Sequence, residues 1–137
     1  MTVKEFKPAF FSIQDRDSIV VATVTEPSLT EEDNIEQFGV ELNQTIESYG
    51  TYWLALDLQH VKYMSSSAIG KLIGLHRNLH RHQGRLVISG VTGTIQNILQ
   101  TAKLIDYFHI VPGSDDAVER LSRDATTQLP GPNAKPR

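Results

Sequence analysis

The segment Leu54–Gly70, LALDLQHVKYMSSSAIG, constrains this chain more than any other. An apolar, strand-forming run ends at Asp57. A short spacer follows, then Ser65-Ser66-Ser67, then apolar residues at helical spacing. This order places serine hydroxyls where a strand's carboxyl end meets a helix N-terminus. The first amides of a helix lack intrahelical partners and sit at the positive end of its dipole, so the junction suits an anion. A phosphate could be bound there as a ligand or attached there as a phosphoserine. A serine could equally serve only as the helix cap.

The rest of the chain gives that junction a setting. Phe10–Gln14 and Ser18–Val24 are β-rich runs separated by the polar Asp15-Arg16-Asp17, which predicts a hairpin. Glu26-Pro27-Ser28 breaks the pattern. Thr30 reads as an N-cap, with Glu31, Glu32 and Asp33 adding negative charge to the first turn. Ile35, Phe38, Leu42, Ile46 and Tyr49 follow at helical spacing, up to Gly50. Tyr52–Leu58 is a nearly continuous apolar strand, expected to be buried on both faces with Trp53 in the core. A helix is predicted from Ser66 to Gln83, with Ile69, Leu72, Ile73, His76 and Leu79 inward and Gly84 as its stop. Arg85–Ser89 is a strand. Thr94–Ala102 is a helix with Ile95, Ile98, Leu99 and Ala102 inward. Tyr107–Val111 is the last strand, and Asp115–Arg123 the last helix, with Ala117, Val118 and Leu121 inward.

The predicted order is β-β-α-β-α-β-α-β-α. It implies an α/β fold: one domain with a mixed, mostly parallel sheet, an opening β-hairpin and about four helices, joined by right-handed crossovers. In open sheets of this kind, sites gather beyond the carboxyl ends of the strands, where Asp57 and the serines lie. Residues 1–123 are expected to form the domain. Residues 124–137 lose the apolar pattern and carry Pro130, Pro132 and Pro136, which predicts a disordered tail.

Composition excludes several functions. A chain of 137 residues suits a single core. A net charge of −3 disfavours nucleic acid and anionic membrane as partners. The absence of cysteine removes disulfides, thiol catalysis and thiolate metal sites. No apolar run is long enough to span a bilayer, and MTVKEFKPAF has no signal-peptide h-region, so a cytoplasmic setting is expected.

Catalytic motifs are equally thin. Asp57 could be a phosphoacceptor or magnesium ligand, but no acidic pair sits at the end of the first strands. Its simpler role is to accept backbone N–H bonds in the following loop. The nucleophile elbow Gly-x-Ser-x-Gly is absent, and His60 near Ser66 does not make a triad. His76 and His80 stand one helical turn apart, a permissible metal spacing without an evident third ligand. His76 is expected instead as a partly buried, hydrogen-bonded core residue. Arg77, Arg81 and Arg85 read as a solvated helix end or a contact for an acidic partner. No metal, cofactor or enzymatic activity is expected.

The order of elements and the segment DLQHVKYMSSSAIGKLIGL resemble the STAS domain, typified by bacterial anti-sigma factor antagonists. Asp57-Leu58, Val61, Tyr63-Met64, Ser66-Ser67 and Gly70 match that family's motif. Gln83-Gly84-Arg85-Leu86-Val87-Ile88 matches its Gly-Gly-strand element, and Leu104, Phe108 and Ile110 match its closing element. The resemblance covers about residues 8–122. It implies that Ser66 corresponds to the serine phosphorylated by a partner kinase in regulated members. Three departures stand out. Ser65 replaces the family's Asp, Ala68-Ile69 replaces Gly-Leu, and Lys103 replaces a helix-ending Gly. A lysine in a left-handed position there would cost about 1 kcal/mol relative to Gly.

The resemblance therefore implies a non-enzymatic switch whose partner is an anti-sigma factor with serine kinase activity, or another regulatory protein. Ser66 would be the phosphorylation site. Tyr63, Met64, Ser65, Ser66, Ser67 and Asp57 would form the partner-binding surface. A constitutive scaffold or ligand-sensing STAS module without phosphorylation is the alternative, favoured by Ser65. A small α/β enzyme acting on a nucleotide is the third reading.

Overall fold

A computed structural model of the chain describes residues 11–16, 19–29, 32–50 and 52–128. The predicted cap Thr30 with Glu31, and the three tail prolines, lie outside these residues. The main sheet has the order β1-β2-β4-β6-β7. Its strands are β1 (Phe11–Arg16), β2 (Ile19–Val24), β4 (Trp53–Asp57), β6 (Arg85–Ser89) and β7 (His109–Val111). β1 and β2 are antiparallel, from Phe11↔Val24 to Arg16↔Ile19. All later pairings are parallel. Asp15 and Arg16, expected in the turn, are strand residues paired with Val20 and Ile19. β1 is an edge strand, where polar side chains can face solvent, so their polarity marks the edge rather than a turn.

Helices cover both faces. α1 (Glu32–Tyr49), α2 (Ser66–Arg81) and α3 (Gly93–Thr101) enclose the larger core with Leu54, Leu56, Leu86 and Ile88. α4 (Ser114–Gln128) closes the opposite face with Ala117 and Leu121 on Val21, Ala55 and Val87. Coverage on both sides explains the unbroken apolar runs of β2, β4 and β6. Trp53 lies at the border of this smaller cluster and is only partly buried. α1 also buries Glu41 and Thr45. Thr45 Oγ1 donates to the Glu41 carbonyl at 2.7 Å, and Gln37 Nε2 donates to Glu41 Oε2 at 2.8 Å, so neither polar group lacks a partner.

Helix ends differ from the sequence reading in an instructive way. The left-handed residue after α2 is Gln83 (φ +61°), not Gly84. Gln83 N donates to His80 O at 3.0 Å and Gly84 N to Leu79 O at 2.7 Å, the paired bonds of a Schellman stop. Gly84 is required for another reason: a Cβ there would stand 2.0 Å from the Tyr52 carbonyl oxygen. α3 ends the same way, with Lys103 left-handed at φ +62° and Leu104 N bonded to Leu99 O at 2.8 Å. The turn that the resemblance assigns to Gly is thus made here with Lys.

Three further expectations are corrected. Leu75, not His76, completes the buried stripe of α2. His76 is partly buried, as expected, but among the described residues its buried Nδ1 has no hydrogen-bond partner. Ala102 is exposed beside α3 instead of packed inward. α4 runs to Gln128, so residues 124–128 are helical where a disordered tail was expected. Asp124 Oδ2 lies 3.1 Å from Arg120 Nε and 3.5 Å from Arg85 Nε. Among the described residues, no helix is long and apolar enough to cross a membrane.

Candidate functional site

Two strands of two residues, invisible to periodicity, aim the serine segment. β3 (Ser28–Leu29) and β5 (Tyr63–Met64) pair in parallel, Ser28↔Tyr63 and Leu29↔Met64. Lys62 N donates to Pro27 O at 2.7 Å and Ser65 N to Leu29 O at 3.0 Å. Leu29 and Met64 point into the core, at 0% and 2% exposure. By strand alternation Tyr63 points out, and it is 54% exposed. The segment therefore reaches α2 in a fixed register, and that register decides what each serine does.

Ser65 is the N-cap. Its backbone is extended (φ −81°, ψ 169°), and its Oγ accepts a bond from Ala68 N at 3.2 Å. Its carbonyl accepts from Ile69 N at 3.1 Å. Asp and Ser are both strong N-caps, so Ser65 keeps the capping that the family's Asp would supply. Ser66 and Ser67 occupy the first turn and are exposed. Ser66 therefore does not serve as the helix cap. No acidic residue stands in the first turn of α2.

The serines open onto a groove of about 590 Å³ between the start of α2 and the flank of α3. Tyr63, Ser65, Ser66 and Ile69 line one side, and Ile98 and Ala102 the other. Met64 contributes from below, as a buried core residue with little surface of its own. Ala102, exposed against the helical pattern, finds its place as part of this wall.

Asp57 does not join the exposed surface. It is 2% exposed, Oδ1 accepts from Gln59 N at 3.0 Å, and Oδ2 accepts from Gln59 Nε2 at 2.6 Å. Gly90, left-handed at φ +70°, presses over it; a Cβ there would stand 2.5 Å from Asp57 Oδ1. This carboxylate fixes the loop after β4 and is not available to a docking partner. Of the six candidate contact residues, the structure leaves Tyr63, Ser66 and Ser67 exposed, half-buries Ser65, and buries Met64 and Asp57. Among the described residues, no group of three or more His, Cys, Asp or Glu could hold a metal ion. His60 is exposed in the turn after Leu58.

Solved structures share this architecture. An anti-sigma factor antagonist from Mycobacterium paratuberculosis aligns with a TM-score of 0.71 at 16% identity, covering 82% of this chain and 92% of that one. The anti-sigma factor antagonist SpoIIAA in its unphosphorylated form aligns with a TM-score of 0.68 at 18% identity, covering 82% and 96%. The Bacillus cell fate determinant SpoIIAA in its phosphorylated form aligns at 0.61 and 19% identity, covering 80% and 97%. At such identities the likeness is one of fold. The family model for the STAS domain matches residues 11–117, all five strands of the main sheet, helices α1–α3 and the start of α4, and so the chain belongs to the STAS domain family.

Proposed function

We propose that this protein is a regulatory switch of the anti-sigma factor antagonist type. It binds an anti-sigma factor with serine kinase activity, or a related regulatory protein, through the groove at the start of α2, and phosphorylation of Ser66 ends the binding. The observation that carries this reading is Ser66 itself: exposed, freed from capping by Ser65, and set at the mouth of a largely apolar groove. Phosphate adds about −1.5 to −2 charges near neutral pH. The helix N-terminus accommodates that charge, while a partner over the groove would have to desolvate it. A penalty of about 3 kcal/mol weakens binding over 100-fold. The protein works by docking, without catalysis of its own, in the cytoplasm and on transcription.

The test compares partner affinity of the wild type, Ser66→Ala, Ser66→Glu and stoichiometrically Ser66-phosphorylated protein, each shown to be folded. Binding should survive in the alanine variant, fall in the glutamate variant and fall furthest on phosphorylation. Equal affinity for all four would favour a constitutive scaffold, the reading that Ser65 supports because it replaces the Asp of the family motif.

A further inference from the structure

The far end of α2 holds a second cluster that the switch does not use. Ten residues separate Ser66 from His76, about 15 Å along the helix. There His76 and His80 of α2 meet Gly84 and Arg85 at the start of β6, and Tyr107 and His109 at the start of β7. These six residues line a cavity of about 150 Å³. A water occupies about 30 Å³, so the cavity has room for an ion of phosphate size.

Arg85 puts a fixed positive charge on its wall, and no acid is among the lining residues. Arg85 Nη1 lies 3.1 Å from His109 Nε2, and Arg120 Nη2 of α4 lies 3.4 Å from His109 Nδ1. A neutral imidazole has one acceptor nitrogen, so it can accept from only one of these two guanidinium donors. His76 and His80 stack with ring centroids 6.3 Å apart, and the Tyr107 ring is 4.8 Å from that of His76. Against the guanidinium groups of Arg85 and Arg120 stands the Asp124 carboxylate. Burial first, then His80 and Arg85, push the His76 pKa below its ordinary value. Burial first, then Arg85, Arg120 and His76, do the same for His109, with Asp124 opposing. Two buried nitrogens lack a hydrogen bond: His76 Nδ1, and Arg85 Nε, which has only its 3.5 Å ion pair with Asp124.

We propose that this cavity is a binding site for a small oxyanion of the phosphate class, held by Arg85, His76 and His80. The ion supplies the negative charge that the cluster lacks and acceptors for its unpartnered donors, through charge-assisted bonds. Binding favours the protonated form of His76, so it takes up protons and strengthens as His76 becomes protonated.

The probe is inorganic phosphate, added to full-length protein at ionic strength matched with chloride. Histidine ring resonances are followed by NMR across pH. Saturating phosphate should raise the pKa of His76 and His109, while the ring resonances of His60, exposed in its distant turn, should not respond to phosphate. Arg85→Gln should abolish the saturable response. Because Arg85 also holds Asp124, the second variant is His80→Gln, at an exposed position, which should weaken phosphate about tenfold with the fold intact. An equal phosphate response of the His60 resonances, a response that does not saturate, or unchanged affinity in His80→Gln would overturn the assignment.

Discussion

Removal of the Ser65 hydroxyl separates capping from modification in a run of three serines. The Ser65 Oγ accepts from Ala68 N, and Ala68 is fully buried, so water cannot readily replace the lost partner. N-cap substitution by Ala costs about 1 kcal/mol, and an unsatisfied buried N–H about 1–3 kcal/mol. Ser65→Ala should therefore cost about 1.5 kcal/mol. Ser66→Ala removes an exposed first-turn hydroxyl with no part in the cap and should change stability by under about 0.5 kcal/mol. Ser65→Asp keeps the acceptor and adds charge to a turn that has no acid, which should gain about 0.3–1 kcal/mol at low salt. Equilibrium urea unfolding reads all three as shifts in midpoint at constant slope. In a thermal scan the Ser65→Ala loss corresponds to about 6 °C for a domain of this size. A Ser66→Ala loss as large as that of Ser65→Ala, or a destabilising Ser65→Asp, would show that the helix starts one residue later. Ser66 would then be a cap and not a free hydroxyl.

Two other perturbations test the frame around the sites. The lowered pKa values of His76 and His109 mean that the folded state binds fewer protons than the unfolded state below the ordinary value of 6.5. Stability should be level above about pH 6.5 and fall as the pH drops through the two folded-state values; urea midpoints in phosphate-free buffer check this, and a rise on acidification would refute it. Gly84→Ala forces a Cβ against the Tyr52 carbonyl, which also accepts from Arg85 N at 2.9 Å, so it should cost at least about 2 kcal/mol. Gln83→Gly relieves a left-handed Gln and should gain about 0.5 kcal/mol in the same thermal melts, with Gly84 untouched.

The legible parts of the fold were those with a period to read. Ile35, Phe38, Leu42 and Ile46 mark α1 because an amphipathic helix must repeat its buried face, and Leu54-Ala55-Leu56 marks a strand covered on both sides. β3 and β5 have two residues each, too few to repeat anything, and Pro27 beside them reads as a break. Yet their pairing sets the register of the serine segment. Three consecutive serines are equally good caps, so sequence could place the strand–helix junction but not assign the cap; the Leu29–Met64 pairing does that. His76 occupies a position that the helical stripe allows, but Leu75 fills the core better and turns the imidazole towards Tyr107 and Phe108. Asp124 was read as tail because its role depends on Arg85, 39 positions earlier, a relation no local pattern carries.

The Asp-to-Ser difference at position 65 bears on how the proposed switch divides its energy. A phosphate on Ser66 would sit in the first turn of α2, where the helix dipole favours negative charge. With Asp as the cap, the adjacent residue would be a carboxylate, and like-charge repulsion would offset part of that gain. Ser65 caps without charge. Asp57 is buried with both oxygens engaged by Gln59, and the first turn contains no acid. Phosphorylation of this chain would therefore strain its own fold little, leaving the partner to bear the desolvation and repulsion. A switch of this kind changes affinity without changing the structure of the domain. The same reasoning predicts that Ser66→Glu in the wild-type background slightly raises its unfolding midpoint, whereas Ser66→Glu combined with Ser65→Asp gains less than the two single changes summed. Non-additivity of that sign in a double-mutant cycle is the signature of adjacent like charges. Strict additivity would mean that the cap residue does not feel the charge at position 66, and the argument for a neutral cap would fail.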